Sequence, residues 1–420
     1  MEEFRLARYI ATFVVVAGAF ILAACGGGGS GSAETTTMQF GPPITSALGS
    51  HGSGLVFGDF NGDGKADFLV RGQPGIFVGQ GDGSFRAAGT VASAISPWVA
   101  ADFNGDGKLD IAGCVSLHSV AVALGNGDGT FGTPIESPVP GILSGGIEVG
   151  GCEQYGVAVG DFDGDGKADL IVPLNGNVIH DSGVVVLFGN GDGTFRVGLV
   201  QVIATGRALF DFAVSDLDRN GKLDLLVTTL GNFVPAGGSL QIHLGHGDGT
   251  FGAPLYPSLS GIGPGIPSLP AIADFNGDGT PDFALTAIIT HSSQFGRPSA
   301  FSIFPGSGDG TFRAQTYSFD TTKVGVTGNP AAGDLNGDGN PDLALSVQFA
   351  SPEAPSTVLY RLRILYGNGD GTMRDPVEYP LQAISGVVGI IDVNGDGVPD
   401  VVLLSGTDVI VFPNTSRRAK

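Results

Sequence analysis

The sequence predicts an all-β fold, a seven-bladed β-propeller of four-stranded blades, and three observations predict it. A nine-residue acidic stretch, first met as Asp59-Phe60-Asn61-Gly62-Asp63-Gly64-Lys65-Ala66-Asp67, returns six more times, beginning at Asp102, Asp161, Asp216, Asp274, Asp334 and Asp392. Successive copies start 43 to 60 residues apart, the period of four-stranded propeller blades. Short runs rich in β-branched and aromatic residues enter and leave each copy, such as Val157 to Val159 before the third and Leu170-Ile171-Val172 after it. Such runs bounded by Gly and Asp are strands. Each acidic stretch therefore joins strands A and B of a hairpin.

A third strand follows (Val120 to Leu124, Val184 to Phe188, Leu240 to Leu244) and ends in a second repeated element. Its copies run Gly79 to Phe85, Gly125 to Phe131, Gly189 to Phe195, Gly245 to Phe251, Gly306 to Phe312 and Gly367 to Met373. Gly-Asp-Gly is a tight-turn signal whose left-handed positions favour residues without a Cβ, so this element is read as a turn into strand D, with its lone Asp serving the turn. The seventh repeat stops after Val409 to Asn414 without such a turn, whereas Met38 to Pro43 resembles the segment that follows one. The expectation is that an N-terminal strand completes the last blade and closes the ring, which removes the open edges.

The remaining organisation follows from composition. Residues 1–24 read as a signal peptide: Arg5 and Arg8 precede an apolar run from Ile10 to Ala24, too short to span a bilayer comfortably. It ends in Leu22-Ala23-Ala24-Cys25, which resembles the lipobox of bacterial lipoproteins and implies lipidation at Cys25. Glu2 and Glu3 depart from a positive leader, so a plain secretory signal or an uncleaved anchor stays open. Residues 25–37 form a Gly/Ser-rich tether, residues 38–414 the propeller, and residues 415–420 a basic tail. The chain is expected to be exported and lipid-anchored at an outer membrane or cell surface, to touch membrane only through that lipid, and to be a monomer. In such a compartment Cys114 and Cys152 are expected to form a disulfide, two separately buried thiols being the alternative.

Charge narrows the chemistry. A net charge of −21 excludes nucleic acid as a partner, which needs a basic footprint. The acidic stretches hold three aspartates each and the third holds four, more than half of the 41 acidic residues. Without cations they repel themselves.

Position 1 of the stretch is Asp59, Asp102, Asp161, Asp216, Asp274, Asp334 or Asp392, and position 3 is Asn61, Asn104, Asp163, Asp218, Asn276, Asn336 or Asn394. Position 5 is Asp63, Asp106, Asp165, Asn220, Asp278, Asp338 or Asp396, and position 9 is Asp67, Asp110, Asp169, Asp224, Asp282, Asp342 or Asp400. Position 7 varies freely: Lys65, Lys108, Lys167, Lys222, Thr280, Asn340, Val398. A calcium loop takes side chains at positions 1, 3 and 5, a backbone carbonyl at 7 and a sharp glycine turn at 6. The tolerance at position 7 fits a site where only the carbonyl is used, and position 9 supplies the final carboxylate. Hard oxygens without His or Cys suit Ca²⁺ better than Zn²⁺ or Cu²⁺, giving up to seven structural ions. A bare Asn-Gly/Asp-Gly turn is the plainer reading, but it needs no Asp at positions 1 and 9. The fourth loop is the least regular, because Arg219 stands where the others have Gly.

These loops, with the Phe-Gly and Gly-Ala-Pro segments, resemble FG-GAP repeats, also called VCBS repeats, across roughly residues 38 to 414. The resemblance implies the seven-bladed propeller of integrin α subunits and some fungal lectins, with structural calcium on the face away from the ligand. It implies no particular activity.

No His pair has metal spacing among His51, His118, His180, His243, His246 and His291, and neither a nucleophile elbow nor a Walker loop occurs. His180-Asp181 reads as a solvated loop pair, and Trp98, in strand A of blade 2, as packing. The longer connections of blades 3 to 6 lie on the face opposite the acidic loops, where Tyr155, Phe233, Phe295, Phe349 and Tyr360 are candidates for ligand contact. The function expected is a non-enzymatic adhesion or binding module for a glycan or protein. The alternatives are a polysaccharide-lyase-like enzyme, for which Arg207, Arg297, Arg361 and Arg363 are the first residues to consider, and an envelope scaffold.

Overall fold

The computed structural model describes residues 40–415 except 50–53, 71–74, 92–94, 145–146, 150–151, 153–155, 175–180, 205–207, 231–238, 259–265, 269, 289–300, 314–316, 320–323, 327–328, 351–356 and 384–386. The expected signal peptide and tether, with Cys25, and residues 416–420 lie outside the described residues. So do His51, His180, His291, Tyr155, Phe233, Phe295, Arg207 and Arg297.

Seven antiparallel sheets follow one another along the chain as a propeller. Blade 1 is the meander Leu55–Gly58, Asp67–Val70, Gly75–Gly79, Phe85–Thr90. Blade 3 repeats it with Ala158–Gly160, Asp169–Leu174, Ser182–Gly189 and Phe195–Ala204. The B and C strands carry the core: Leu170, Ile171, Val172, Val184, Val185, Val186 and Leu187 are all wholly buried. An uninterrupted apolar run is what a strand packed on both faces requires, because each blade is sandwiched between two neighbours. The hydrophobic clusters accordingly lie between blades, as where Val99, Val120 and Val122 of blade 2 meet Leu170, Val172 and Leu187 of blade 3.

The ring closes through the N-terminus. Ile44–Ala47 pairs antiparallel with Asp408–Phe412, with Ile44 opposite Val411 and Ala47 opposite Asp408, and Phe40 bridges Asn414. Blade 7 is thus built from both ends of the chain, in the order Ile44–Ala47, Asp408–Phe412, Asp400–Ser405, Val387–Ile391.

Two departures from the simple repeat stand out. In blade 4 the outer strand shrinks to the bridges Gly245↔Phe251 and Ile242↔Leu255, because Gly252, Pro254 and Pro257 interrupt the ladder. In blades 5 and 6 the inner strand is split, into Ile266–Pro267 with Ala271–Ala273 and Val324–Val326 with Ala331–Gly333. Between blades 2 and 3 the connection carries a small ribbon, Ile142–Ser144 with Ile147–Val149, and Cys152 beyond it is joined to Cys114 by a disulfide with Cα atoms 5.5 Å apart. The bond fastens this connection to strand B of blade 2.

Candidate metal centres on the acidic face

All seven acidic loops share one hydrogen-bonded frame. The position 6 glycine amide donates to the position 1 carboxylate in every copy, at 2.7–3.0 Å. The position 5 amide donates to the side-chain oxygen at position 3, and the position 7 amide to that at position 5, as in Asp63 N to Asn61 Oδ1 (2.9 Å) and Lys65 N to Asp63 Oδ1 (3.0 Å). Positions 4 and 6 have positive φ, which suits glycine, and Arg219 at position 4 of the fourth loop adopts φ 60° in the same frame.

Position 9 has a task the sequence did not disclose. Each of these aspartates begins strand B and is completely buried. One oxygen accepts the amide of position 2 at 2.8–3.1 Å. The other accepts, at 2.7–2.9 Å, the amide that opens the Gly-Asp-Gly turn of the same blade, or in blade 7 the amide of Asn414. The carboxylate therefore ties the A–B loop to the end of strand C. Burial pushes its pKa up, to about 6 at Asp169, Asp282 and Asp400 and about 7 at Asp342, with the loop's other aspartates adding to the shift. An amide donor occupies one lone pair of each oxygen and leaves others for a cation.

The loops are also keyed to their neighbours. The second glycine of the turn in one blade donates to the position 2 carbonyl of the preceding blade: Gly129 to Phe60, Gly193 to Phe103, Gly249 to Phe162 and Gly371 to Phe275, at 2.9–3.1 Å. The position 2 ring packs edge-on against the turn phenylalanine of the next blade, as Phe60 does on Phe131 and Phe103 on Phe195. The turn aspartates stay local: Asp128 Oδ1 accepts from both the amide and the hydroxyl of Thr130.

In the third and fourth loops, where position 3 is Asp, three carboxylates converge. Oxygens of Asp161, Asp163 and Asp169, and of Asp216, Asp218 and Asp224, lie within 4.8 Å of one another. The fourth loop, irregular in sequence, is one of the two. The other five carry Asn at position 3, whose carbonyl oxygen can also ligate a hard cation. This donor set fits Ca²⁺: positions 1, 3, 5 and 9 with the position 7 carbonyl would hold it.

The position 7 side chain proves less indifferent than its variability implies. Lys65, Lys108 and Lys167 place Nζ 3.6, 3.3 and 2.8 Å from Oδ2 of the position 5 aspartate. In blades 5 and 6, where position 7 is Thr280 or Asn340, an arginine just past the turn takes over: Arg313 lies 3.4 Å from Asp278, and Arg374 lies 3.3 Å from Asp338. These arginines were missed in the sequence, although the readable signal is an Arg directly after the turn Phe or Met in the blades that lack Lys.

Elsewhere, Arg363 is buried and donates to Glu378, while Arg361 stacks on Phe349 with its guanidinium carbon 5.6 Å from the ring centroid. Trp98 lies in strand Ser96–Ala101 of blade 2. At the outer rim, the shortened outer strand of blade 4 leaves a cleft of about 430 Å³ beside blade 3, lined by Gln201, Gln241, His243, Phe251, Pro254 and Tyr256 among others. His243 Nδ1 meets the Gly252 carbonyl at 3.0 Å, so that nitrogen carries the hydrogen, and burial lowers the imidazole pKa. His246 Nδ1 meets Thr250 Oγ1 within its turn, and His118 is exposed. No helix among the described residues is long and apolar enough to cross a membrane.

Comparison with known proteins adds the following. The family described as FG-GAP-like repeat matches residues 102–172 and 289–345. Integrin alpha pat-2 of Caenorhabditis briggsae is 27% identical over 265 residues, which cover 59% of this chain and 17% of that protein. The chain thus spans about a sixth of that relative's length. Among solved structures, the V. cholerae biofilm matrix protein Bap1 aligns over 92% of this chain and 90% of its own at 12% identity and a TM-score of 0.38. An ancestral GH74 enzyme aligns over 89% of this chain and 46% of its own at 10% identity and a TM-score of 0.44.

Proposed function

Taking as premise that this chain carries FG-GAP-like repeats in a closed seven-bladed ring, we propose that it is a calcium-stabilised binding module without turnover. In this reading Cys25 carries a lipid that holds the exported module at an outer membrane or cell surface, and a glycan or protein is bound by the loops opposite the acidic face. The observation that carries it is the uniformity of the acidic loops. An active site is singular, whereas these seven loops repeat one frame, each bound to its own strand C through a buried carboxylate. A bound ion supplies the positive charge that lets those carboxylates stay ionised together.

On the far side, Phe349 at the end of strand B of blade 6 and Arg361 near the start of strand C place an aromatic ring and a cation side by side, while Tyr360 turns to the other face of the sheet. Such groups suit recognition of a sugar ring or of a protein side chain. Arg363, a first choice for a lyase-like site, is engaged by Glu378 instead.

The test is metal removal followed by ligand screening. Each ion present at a hundred times its dissociation constant stabilises the fold by about 2.7 kcal/mol, so chelation lowers the melting temperature by several degrees or more. An unchanged melt in chelator rejects the calcium reading. Glycan arrays and pull-downs with the calcium-loaded protein then separate stable retention, which supports a binder, from product formation, which replaces it with an enzyme.

A further inference from the structure

We propose that the cleft at the outer rim of blade 4 is a binding site for a neutral sugar ring, separate from the far-face loops and independent of the calcium reading. Two observations carry it: a polar pair buried where the other blades are apolar, and a side-chain amide in that pair with one end left to the cleft.

In every blade, strand C packs on the preceding blade through the residue paired with the one that follows position 9. Those residues are Phe77, Ala123, Leu187, His243, Phe304, Leu365 and Phe412. Only blade 4 has a polar one. Two residues earlier, Gln241 stands where blade 3 has Val185. Both side chains of the blade 4 pair are 2% exposed, and polar groups in such a layer cost stability unless they are partnered. Where one repeat breaks the pattern of the others, function or strain is the expected reason. His243 Nδ1 donates to the Gly252 carbonyl at 3.0 Å, which leaves Nε2 a lone pair beside the Gln241 amide, 3.3 Å away. That contact engages one end of the amide. Its other end has no partner among the described residues, and Gln241 lines the cleft.

The lining selects the ligand. No Asp, Glu, Lys or Arg is among the described residues that form it, so an ion would lose its hydration there without a counter-charge. Hydroxyl groups both donate and accept, which is what the open end of Gln241 requires. Gln201, which accepts the Phe251 amide and donates to the Gly249 carbonyl, keeps one N–H and one lone pair for the same use. Tyr256, 65% exposed, and Pro254 offer apolar surface against which the carbon face of a pyranose can pack. The volume of about 430 Å³ lies within the range of small-ligand sites, roughly 300–1,000 Å³. An added peptide strand is disfavoured, because Ile242 and Leu255 already exchange both backbone bonds along this edge, at 3.0 and 2.8 Å.

The experiment is saturation-transfer NMR on the full-length, calcium-loaded protein with neutral pyranoses as probes: glucose, galactose, mannose and N-acetylglucosamine. At least one should receive saturation from the wild type. Tyr256→Ala, a change at an exposed side chain, should weaken its binding about tenfold. Gln241→Val combined with His243→Leu, which copies Val185 and Leu187 of blade 3, should abolish binding while the melting temperature holds or rises. Should that double variant fold poorly, Tyr256→Ala decides alone. Binding of none of the probes, or binding unmoved by Tyr256→Ala, overturns the proposal. Loss of binding in Arg361→Ala with Tyr256→Ala unmoved puts the sugar on the far face instead, which rejects the rim site and leaves the proposed function standing.

Discussion

Replacing Asn414 by Ala should be among the most damaging single changes in blade 7. Asn414 is wholly buried, and its Nδ2 donates to the Leu335 carbonyl at 2.6 Å and to the Pro399 carbonyl at 3.1 Å. The first bond stands in for the turn-glycine amide that blades 2, 3, 4 and 6 give to the preceding blade. Truncation leaves both carbonyls without that donor, and each buried polar group so orphaned costs about 1–3 kcal/mol. The backbone bond to Asp400 survives, so the loss comes from the two carbonyls alone and should be about 2–6 kcal/mol. Asn414→Asp should cost more, because an acceptor-only carboxylate then faces two carbonyl oxygens in a dry site. Urea unfolding read from the midpoint at constant slope measures this. Asn126→Ala is the control: that exposed side-chain amide donates to Thr130 Oγ1 within its own turn, and its loss should stay within about 0.5 kcal/mol. Equal midpoints for the two alanine variants would refute the idea that Asn414 replaces the missing turn.

Three further outcomes are expected. In chelator, stability should rise as pH falls from about 8 to 5: burial holds Asp169, Asp282 and Asp400 at about 6 and Asp342 at about 7, above the ordinary value of 3.8, so the folded state binds protons that the unfolded state does not. Thermal melts across that range check the sign, and calcium should flatten the slope. Reducing the Cys114–Cys152 disulfide, or replacing both residues by Ser, should cost about 3–4 kcal/mol through the 38-residue separation it closes, visible as a lower urea midpoint. Arg219→Gly should stabilise the protein by about 1 kcal/mol by relieving a left-handed non-glycine residue, and an unchanged or lower melt would mean that the side chain's approach to Gly279 in the next loop offsets the strain.

The repeat and its spacing made the propeller, the blade count and the N-terminal closure legible, because turn glycines and alternating apolar runs are local signals. What stayed hidden was pairing between elements distant along the chain. Asp342 and Gly367 meet across 25 residues, and Asn414 and Leu335 across 79. Position 9 read as a metal ligand because its residue type allows that; its burial against two amides is a property of the assembled blade. The arginines after the turns were missed for the same reason, since their partners Asp278 and Asp338 lie 35 and 36 residues back along the chain. The irregularity of the fourth loop was readable, but its consequence was not: Arg219 accepts the strained conformation, while Asp218 at position 3 makes it one of the two loops where three carboxylates converge.

The acidic face is the mechanical seam of the ring. Its turns donate across blades at Phe60, Phe103, Phe162 and Phe275, its position 9 carboxylates hold each loop to its own strand, and in the seventh blade one asparagine performs both tasks. A partner bound there would have to work around a network in which nearly every amide of the loop already has an acceptor. A cation does not face that obstacle, since it uses the lone pairs the amides leave free. The chemistry of this face therefore favours a small hard ion and disfavours a macromolecular ligand. Although single contacts such as Asn329 Nδ2 to Asp211 Oδ2 at 3.3 Å do cross between blades, among the described residues the connections on the opposite face repeat no such frame from one blade to the next. They are free to differ in length from blade to blade, as those following strand B do between blade 1 and blades 3 to 6. Recognition of a glycan or protein is physically cheaper on that side, where a changed loop need not disturb the seam that keeps the ring closed.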